Sequence, residues 1–166
     1  MEAEKAFITH IERHQALIYK VCHLYCDRAE DKQDLFQEIV FQLWKSYPTF
    51  RGEAKFTTWL YRIALNTALT AIKKNKRHDY VYSLPLEMPL IEENDKDRLE
   101  TLNRAVAHLS DIEKSIVMLY LEERSYEEME DILGINQNNL RVKMNRIKEK
   151  LKKLRSEEHT SELQSP

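Results

Sequence analysis

The chain has 166 residues, 33% charged and 42% hydrophobic, with only 2 Gly, 4 Pro and a net charge of −2. That length suits one ordinary domain or two small ones, and so few turn residues point to helices. No apolar run approaches the ~18 residues of a spanning helix and no signal peptide precedes the first element, so a cytoplasmic protein with reduced thiols is expected.

Residues 4 to 26 place Phe7, Ile8, Ile11, Ile18, Val21, Leu24 and Tyr25 at helical spacing, which predicts one helix. Asp27 to Glu30 reads as a break. Asp31 to Lys45 predicts a second helix, with Leu35, Ile39 and Leu43 on its inner face. Tyr47-Pro48 ends it, because a residue before proline is pushed out of the helical region. Residues 47 to 55 are then a loop, and Phe56 to Lys74 a third helix with Thr57 or Thr58 as cap.

Pro85 and Pro89 interrupt the pattern between Asp79 and Asn94, which reads as a linker. A fourth helix is expected from Asp95 to His108. Ser110 and Glu113 form a capping box opening a fifth, and Ser125 and Glu128 another opening a short helix to Leu133. Gly134 permits the left-handed turn that closes the short helix, and Asn136 caps the last, which runs to Leu154. The fold class expected is all-α: two small helical domains, 1–78 and 95–154, joined by a linker over 79–94.

Cys22 and Cys26 share the expected helix with His10, His14 and His23, residue types that can ligate a metal. On one straight helix His10 and Cys22 would lie about 18 Å apart, too far for one zinc ion. Packed cysteines and surface histidines are the better reading, and neither metal nor cofactor is expected.

The modest net charge hides segregation. Lys73 to Arg77 carries four positive charges; Asn136 to Leu154 carries seven against the single acid Glu149. Glu122 to Asp131 holds six acids against Arg124. Two cationic patches suit a polyanion, although solvated helix faces would look the same.

A short helix, a Gly turn and a basic helix make the pattern of a helix-turn-helix. Met129, Ile132, Leu133, Ile135, Leu140, Met144 and Ile147 supply its apolar contacts. Asn138, Asn139, Arg141, Lys143, Asn145 and Arg146 are left outward on the final helix. Asn pairs with adenine edges and Arg with guanine edges in the major groove, while Lys meets phosphate.

In the first half, Phe50, Phe56, Trp59 and Tyr61 are interleaved with Arg51, Lys55, Arg62 and the cluster Lys73, Lys74 and Arg77. Aromatic rings stack on unpaired bases and basic groups follow the phosphates. On the second expected helix Asp34, Gln37, Glu38 and Phe41 share one face, opposite the apolar side.

Taken together, Asp34-Leu-Phe-Gln-Glu38 through Trp44, Phe56-Thr-Thr-Trp59 through Asn66, and Ser125 through Asn136 with the basic helix after it resemble a bacterial RNA polymerase sigma factor of the extracytoplasmic-function (ECF) group. The likeness covers about nine-tenths of the chain. It implies that Asp34, Gln37, Glu38 and Phe41 dock on the beta-prime clamp helices of core polymerase, with the beta flap as a further contact. It implies that the loop from Tyr47 to Lys55, with Asn66 on the next helix, captures an unpaired base while the −10 element melts. It implies that the helix-turn-helix reads the −35 element and that an anti-sigma protein is a possible partner. The chain departs from the common family pattern at Leu65, Thr70, Asn136 and the pair Asn139-Leu140, which bears on base preference.

The function expected is promoter-specific initiation with no chemistry of its own, since no nucleophile–base pair, metal cluster or phosphate-cradling loop is visible. A stand-alone helix-turn-helix regulator is the alternative, and it leaves the aromatic and basic segment unexplained. A metal-dependent nuclease ranks third. Residues 155 to 166 read like the in-frame translation of a sequencing-adapter oligonucleotide. They are expected to be a non-native tail that does not continue the helix.

Overall fold

A computed structural model describes residues 1–52, 55–74 and 93–164. Among them lie eight α-helices and no strand: α1 Glu2–Arg13, α2 Gln15–Tyr25, α3 Ala29–Ser46, α4 Phe56–Lys74, α5 Glu93–Ala107, α6 Asp111–Leu121, α7 Tyr126–Leu133 and α8 Gln137–Gln164. A 3-10 turn, Tyr47–Thr49, follows α3.

The first four helices close around one apolar stripe from each. Ile18, Val21, Leu24 and Tyr25 of α2 meet Leu35, Ile39 and Leu43 of α3 and Leu60, Ala64, Leu65 and Ala68 of α4, all buried. Burying each large side chain is worth about 1.5–3 kcal/mol, so the shared interior outweighs the weak helix propensity of the β-branched residues.

The last four helices pack on Val106, Leu109, Ile116, Leu119, Met129, Ile132, Leu140, Met144 and Ile147. Their joints follow local chemistry. At α6 the Glu113 amide donates to Ser110 Oγ at 3.2 Å while the Ser110 amide donates to Glu113 Oε1 at 3.0 Å. Gly134 takes φ 70 at the end of α7, where a residue with a Cβ is disfavoured. Asn136 Oδ1 then accepts from the Asn138 amide at 2.8 Å, capping α8, and Glu130 reaches across to the Gln137 amide at 2.9 Å. Lys150 of α8 grips both oxygens of Glu113 at 2.9 and 3.0 Å, pinning α8 to α6.

Five expectations need correction. The single helix over 4–26 is two, broken at His14, whose φ −118 and ψ 18 leave the helix. The break before α3 is shorter than 27–30, because the helix starts at Ala29. Thr57 and Thr58 lie inside the first turn of α4 and not at its cap, and Thr58 is buried. The second capping box is half made: Ser125 Oγ accepts from the Glu128 amide, but the Glu128 carboxylate turns to Arg124 at 3.2 Å. Last, α8 does not stop at Leu154 but continues to Gln164, because no Gly or Pro intervenes before Pro166 to end a run of adequate helix formers. The stretch read as a linker lies outside the described residues up to 92, and α5 opens at Glu93.

Candidate functional site

Three surfaces gather the residues singled out from sequence. The first is the outer face of α3. With Leu35, Ile39 and Leu43 turned inward, the 3.6-residue period leaves Asp34, Gln37, Glu38 and Phe41 exposed, and the Phe41 ring is 56% exposed. Gln42 donates to Glu38 Oε1 at 3.1 Å and steadies that carboxylate. The same stripe continues to Trp44, 39% exposed, whose ring lies 5.0 Å from Phe7 of α1. Trp44 was not among the sequence candidates, although its place three residues beyond Phe41 was the available signal.

The second surface surrounds the loop between α3 and α4. Tyr47, Phe50, Phe56 and Trp59 form a linked set of rings: Phe50 to Phe56 at 5.6 Å and edge-on, Phe50 to Trp59 at 5.1 Å, Phe56 to Trp59 at 5.4 Å, Tyr47 to Trp59 at 6.2 Å. Such tilted contacts suit the ring quadrupoles. Trp59 is only 7% exposed and serves as the floor of the set, while Phe50 and Phe56 are half-buried at its rim. His10 stacks on Phe56 at 4.5 Å with 22° between planes, and His14 lies 4.8 Å away. These histidines read from sequence as mostly surface residues; four apart, they share one face and both reach this rim.

Arg51, Lys55, Arg62, Asn66, Lys73 and Lys74 are exposed around and along α4. Arg77 lies outside the described residues. Arg62 is already engaged: its Nε donates to the Asp131 carbonyl of α7 at 2.8 Å.

The third surface is α8. Leu140, Met144 and Ile147 face inward, which leaves Asn138, Asn139, Arg141, Asn145 and Arg146 exposed and Lys143 half-buried. Arg141 lies 5.0 Å over the Tyr126 ring, and Val142, 49% exposed, adds an apolar group of the kind that meets a thymine methyl.

The cysteines form no part of these surfaces. Burial first, then the neighbouring Cys26, pushes the Cys22 thiol up to about 12. Burial and the Asp31 charge push Cys26 up to about 11. Neither is a thiolate near neutrality. Among the described residues no group of three His, Cys, Asp or Glu side chains is placed to hold a metal ion, and no helix is long and apolar enough to cross a membrane.

A helical bundle carrying an exposed acidic stripe and an aromatic rim, followed by a helix-turn-helix with a basic second helix, is the architecture of a class of nucleic-acid-binding proteins. A family model of sigma-70 region 2 matches residues 10–78, and one of sigma-70 region 4 matches residues 99–151. The ECF RNA polymerase sigma factor SigW of Bacillus subtilis is 26% identical over 90% of this chain and 89% of its own. The ECF RNA polymerase sigma-E factor of Haemophilus influenzae is 28% identical over 88% of this chain and 85% of its own. The chain belongs to the sigma-70 family, in its extracytoplasmic-function group, and is a promoter-recognising subunit of RNA polymerase. Members of that family are transcription factors and not enzymes.

The fold agrees. The sigma factor RpoE of Bartonella quintana, solved with the anti-sigma factor NepR, superposes with a TM-score of 0.71 at 18% identity, over 92% of this chain and 98% of that one. CnrH, solved with the cytosolic domain of CnrY, gives 0.67 at 17% identity over 92% of this chain and 89% of that one.

Proposed function

We propose that residues 1–78 form the unit that docks on core polymerase and opens the −10 element, that 79–94 link it to the −35 reader at 95–154, and that the chain works in the cytoplasm without chemistry of its own. The observation that carries this reading is the exposed α3 stripe of Asp34, Gln37, Glu38 and Phe41 beside the aromatic rim of the next loop. Charge at the rim of an interface steers encounter and fixes register, and a central exposed aromatic supplies the buried anchor. Phe41, continued by Trp44, fits that anchoring role against a basic helical partner.

The rim of Phe50, Phe56, His10 and His14 offers a stacking place for a base that leaves the duplex, each stack being worth about 1–3 kcal/mol. Arg51 and Lys55 flank it, and Asn66, Lys73 and Lys74 follow along α4 as donors for the strand; Arg77, outside the described residues, is a further candidate. Trp59 acts from beneath, holding Phe50 and Phe56 in place. On α8, Asn138, Asn139, Arg141 and Arg146 are the base-reading set, with Lys143 and Asn145 toward the phosphates. The sigma factor RpoE of Bartonella quintana was solved with the anti-sigma factor NepR, which supports an anti-sigma partner here.

Permanganate footprinting of a reconstituted holoenzyme on its promoter tests the melting role. Phe50→Ala with Phe56→Ala is expected to lower unpaired-thymine reactivity at least tenfold while polymerase binding holds. Unchanged reactivity would remove the rim from the melting step.

A further inference from the structure

One position of α8 breaks the polar pattern of its outward face. Leu140, Met144 and Ile147 turn inward and fix the buried direction of the helix. At 3.6 residues per turn, Val142 points about 165° away from that direction, at the crest of the outward face. It is 49% exposed, and among the described residues of α8 no other large apolar side chain is exposed. Asn138 and Arg146 lie one turn before it and one turn after it, both exposed. A lone valine on an ordinary surface needs no function. This one stands between two side chains suited to reading bases, within the N-terminal turns that reach into a groove.

The neighbours leave this crest clear. Arg141, drawn over the Tyr126 ring at 5.0 Å, lies to one side of it. Glu149, exposed on the same crest two turns beyond Val142, repels phosphate. The part of α8 that enters a groove therefore ends before Glu149 and is the stretch that holds Asn138, Val142 and Arg146.

The chemistry of valine narrows what can face it. It has no donor and no acceptor. A β-branched side chain in a helix keeps one strongly preferred rotamer, so its methyl groups hold a fixed place. In the major groove thymine alone presents a methyl group. The other bases turn polar groups outward, and a valine over such an edge displaces water without replacing its hydrogen bonds.

We propose that Val142 selects a thymine by its 5-methyl group, at a step between the bases that Asn138 and Arg146 contact. The inference rests on the reading of α8 as the base-reading helix and adds the base that one position requires.

The test starts from a reconstituted holoenzyme and its promoter duplex randomised over the −35 element. The wild type is expected to enrich sequences with a thymine, on either strand, fixed at one position. Uracil in place of that thymine removes the methyl group alone, and wild-type binding is expected to weaken about fourfold, the worth of burying one such group. Val142→Ala is expected to bind the thymine and uracil duplexes alike. Val142 is exposed, so the variant keeps its fold, and the uracil comparison on the wild type needs no variant. Enrichment without a fixed thymine, a wild type indifferent to uracil, or a Val142→Ala protein that keeps the full uracil loss would each overturn the inference and leave α8 a base reader. Enrichment of no −35 sequence at all would overturn it together with the reading of α8.

Discussion

Lys114 is a charged residue that the fold buries. Its side chain is 3% exposed, and its ammonium lies 4.0 Å from Asp111. Burial lowers its pKa from 10.5 to about 8, with Asp111 acting against the shift. Between pH 8 and 10.5 the unfolded chain therefore holds a proton that the folded chain has released. Stability contributed at this position rises with pH across that window and is lowest below it. Lys114→Met is expected to stabilise the protein by about 1–2 kcal/mol at pH 7, with the gain fading toward pH 10, as read by urea melts at both pH values. The cysteines give a second expectation at this scale: with thiols raised to about 12 and 11, neither reacts with a disulfide reagent at pH 8 in minutes, and both do after urea. The Lys114 shift was not legible in the sequence, because its burial depends on neighbours brought in from other helices, whereas the packing of Cys22 was. The exposed stripe from Asp34 to Phe41 was legible, since one helix and its period decide which residues face out.

At the scale of elements, local chemistry read well wherever a cap or a turn fixes the backbone. Ser110, Gly134 and Asn136 each do what their side chains, or lack of one, require. Gly134→Ala meets no atom within 4 Å, so its cost is conformational, and a loss of about 1 kcal/mol is expected in thermal melts. Ser110→Ala removes a capping box and is expected to lose a similar amount. Glu113 is held below the usual carboxylate range: burial would raise it, but the Ser110 amide and the Lys150 ammonium prevail. The break at His14 was not legible. Its imidazole Nδ1 donates to the His10 carbonyl 2.8 Å away, a contact open to a residue that stays in the helix as well as to one that leaves it. The apolar stripe simply resumes after it, so no Gly or Pro announced the change. The run of α8 past Leu154 was missed for the opposite reason: apolar periodicity fades there, yet helix propensity alone carries the backbone onward.

For the whole molecule, two helical halves and their order followed from motif and linker composition, but their embrace did not. Tyr61 and Glu122 are far apart in sequence, and the acidic run from Glu122 to Asp131 reads as a solvated face until α4 is seen beside it. The proposed function rests above all on the docking face of α3. It is tested by gel filtration of the full chain with core RNA polymerase, beside a double variant Asp34→Arg, Glu38→Arg. The wild type is expected to co-elute with polymerase and the variant to elute alone with its helicity intact. A wild type that elutes alone while still shifting duplex DNA would contradict the account and favour a stand-alone helix-turn-helix regulator.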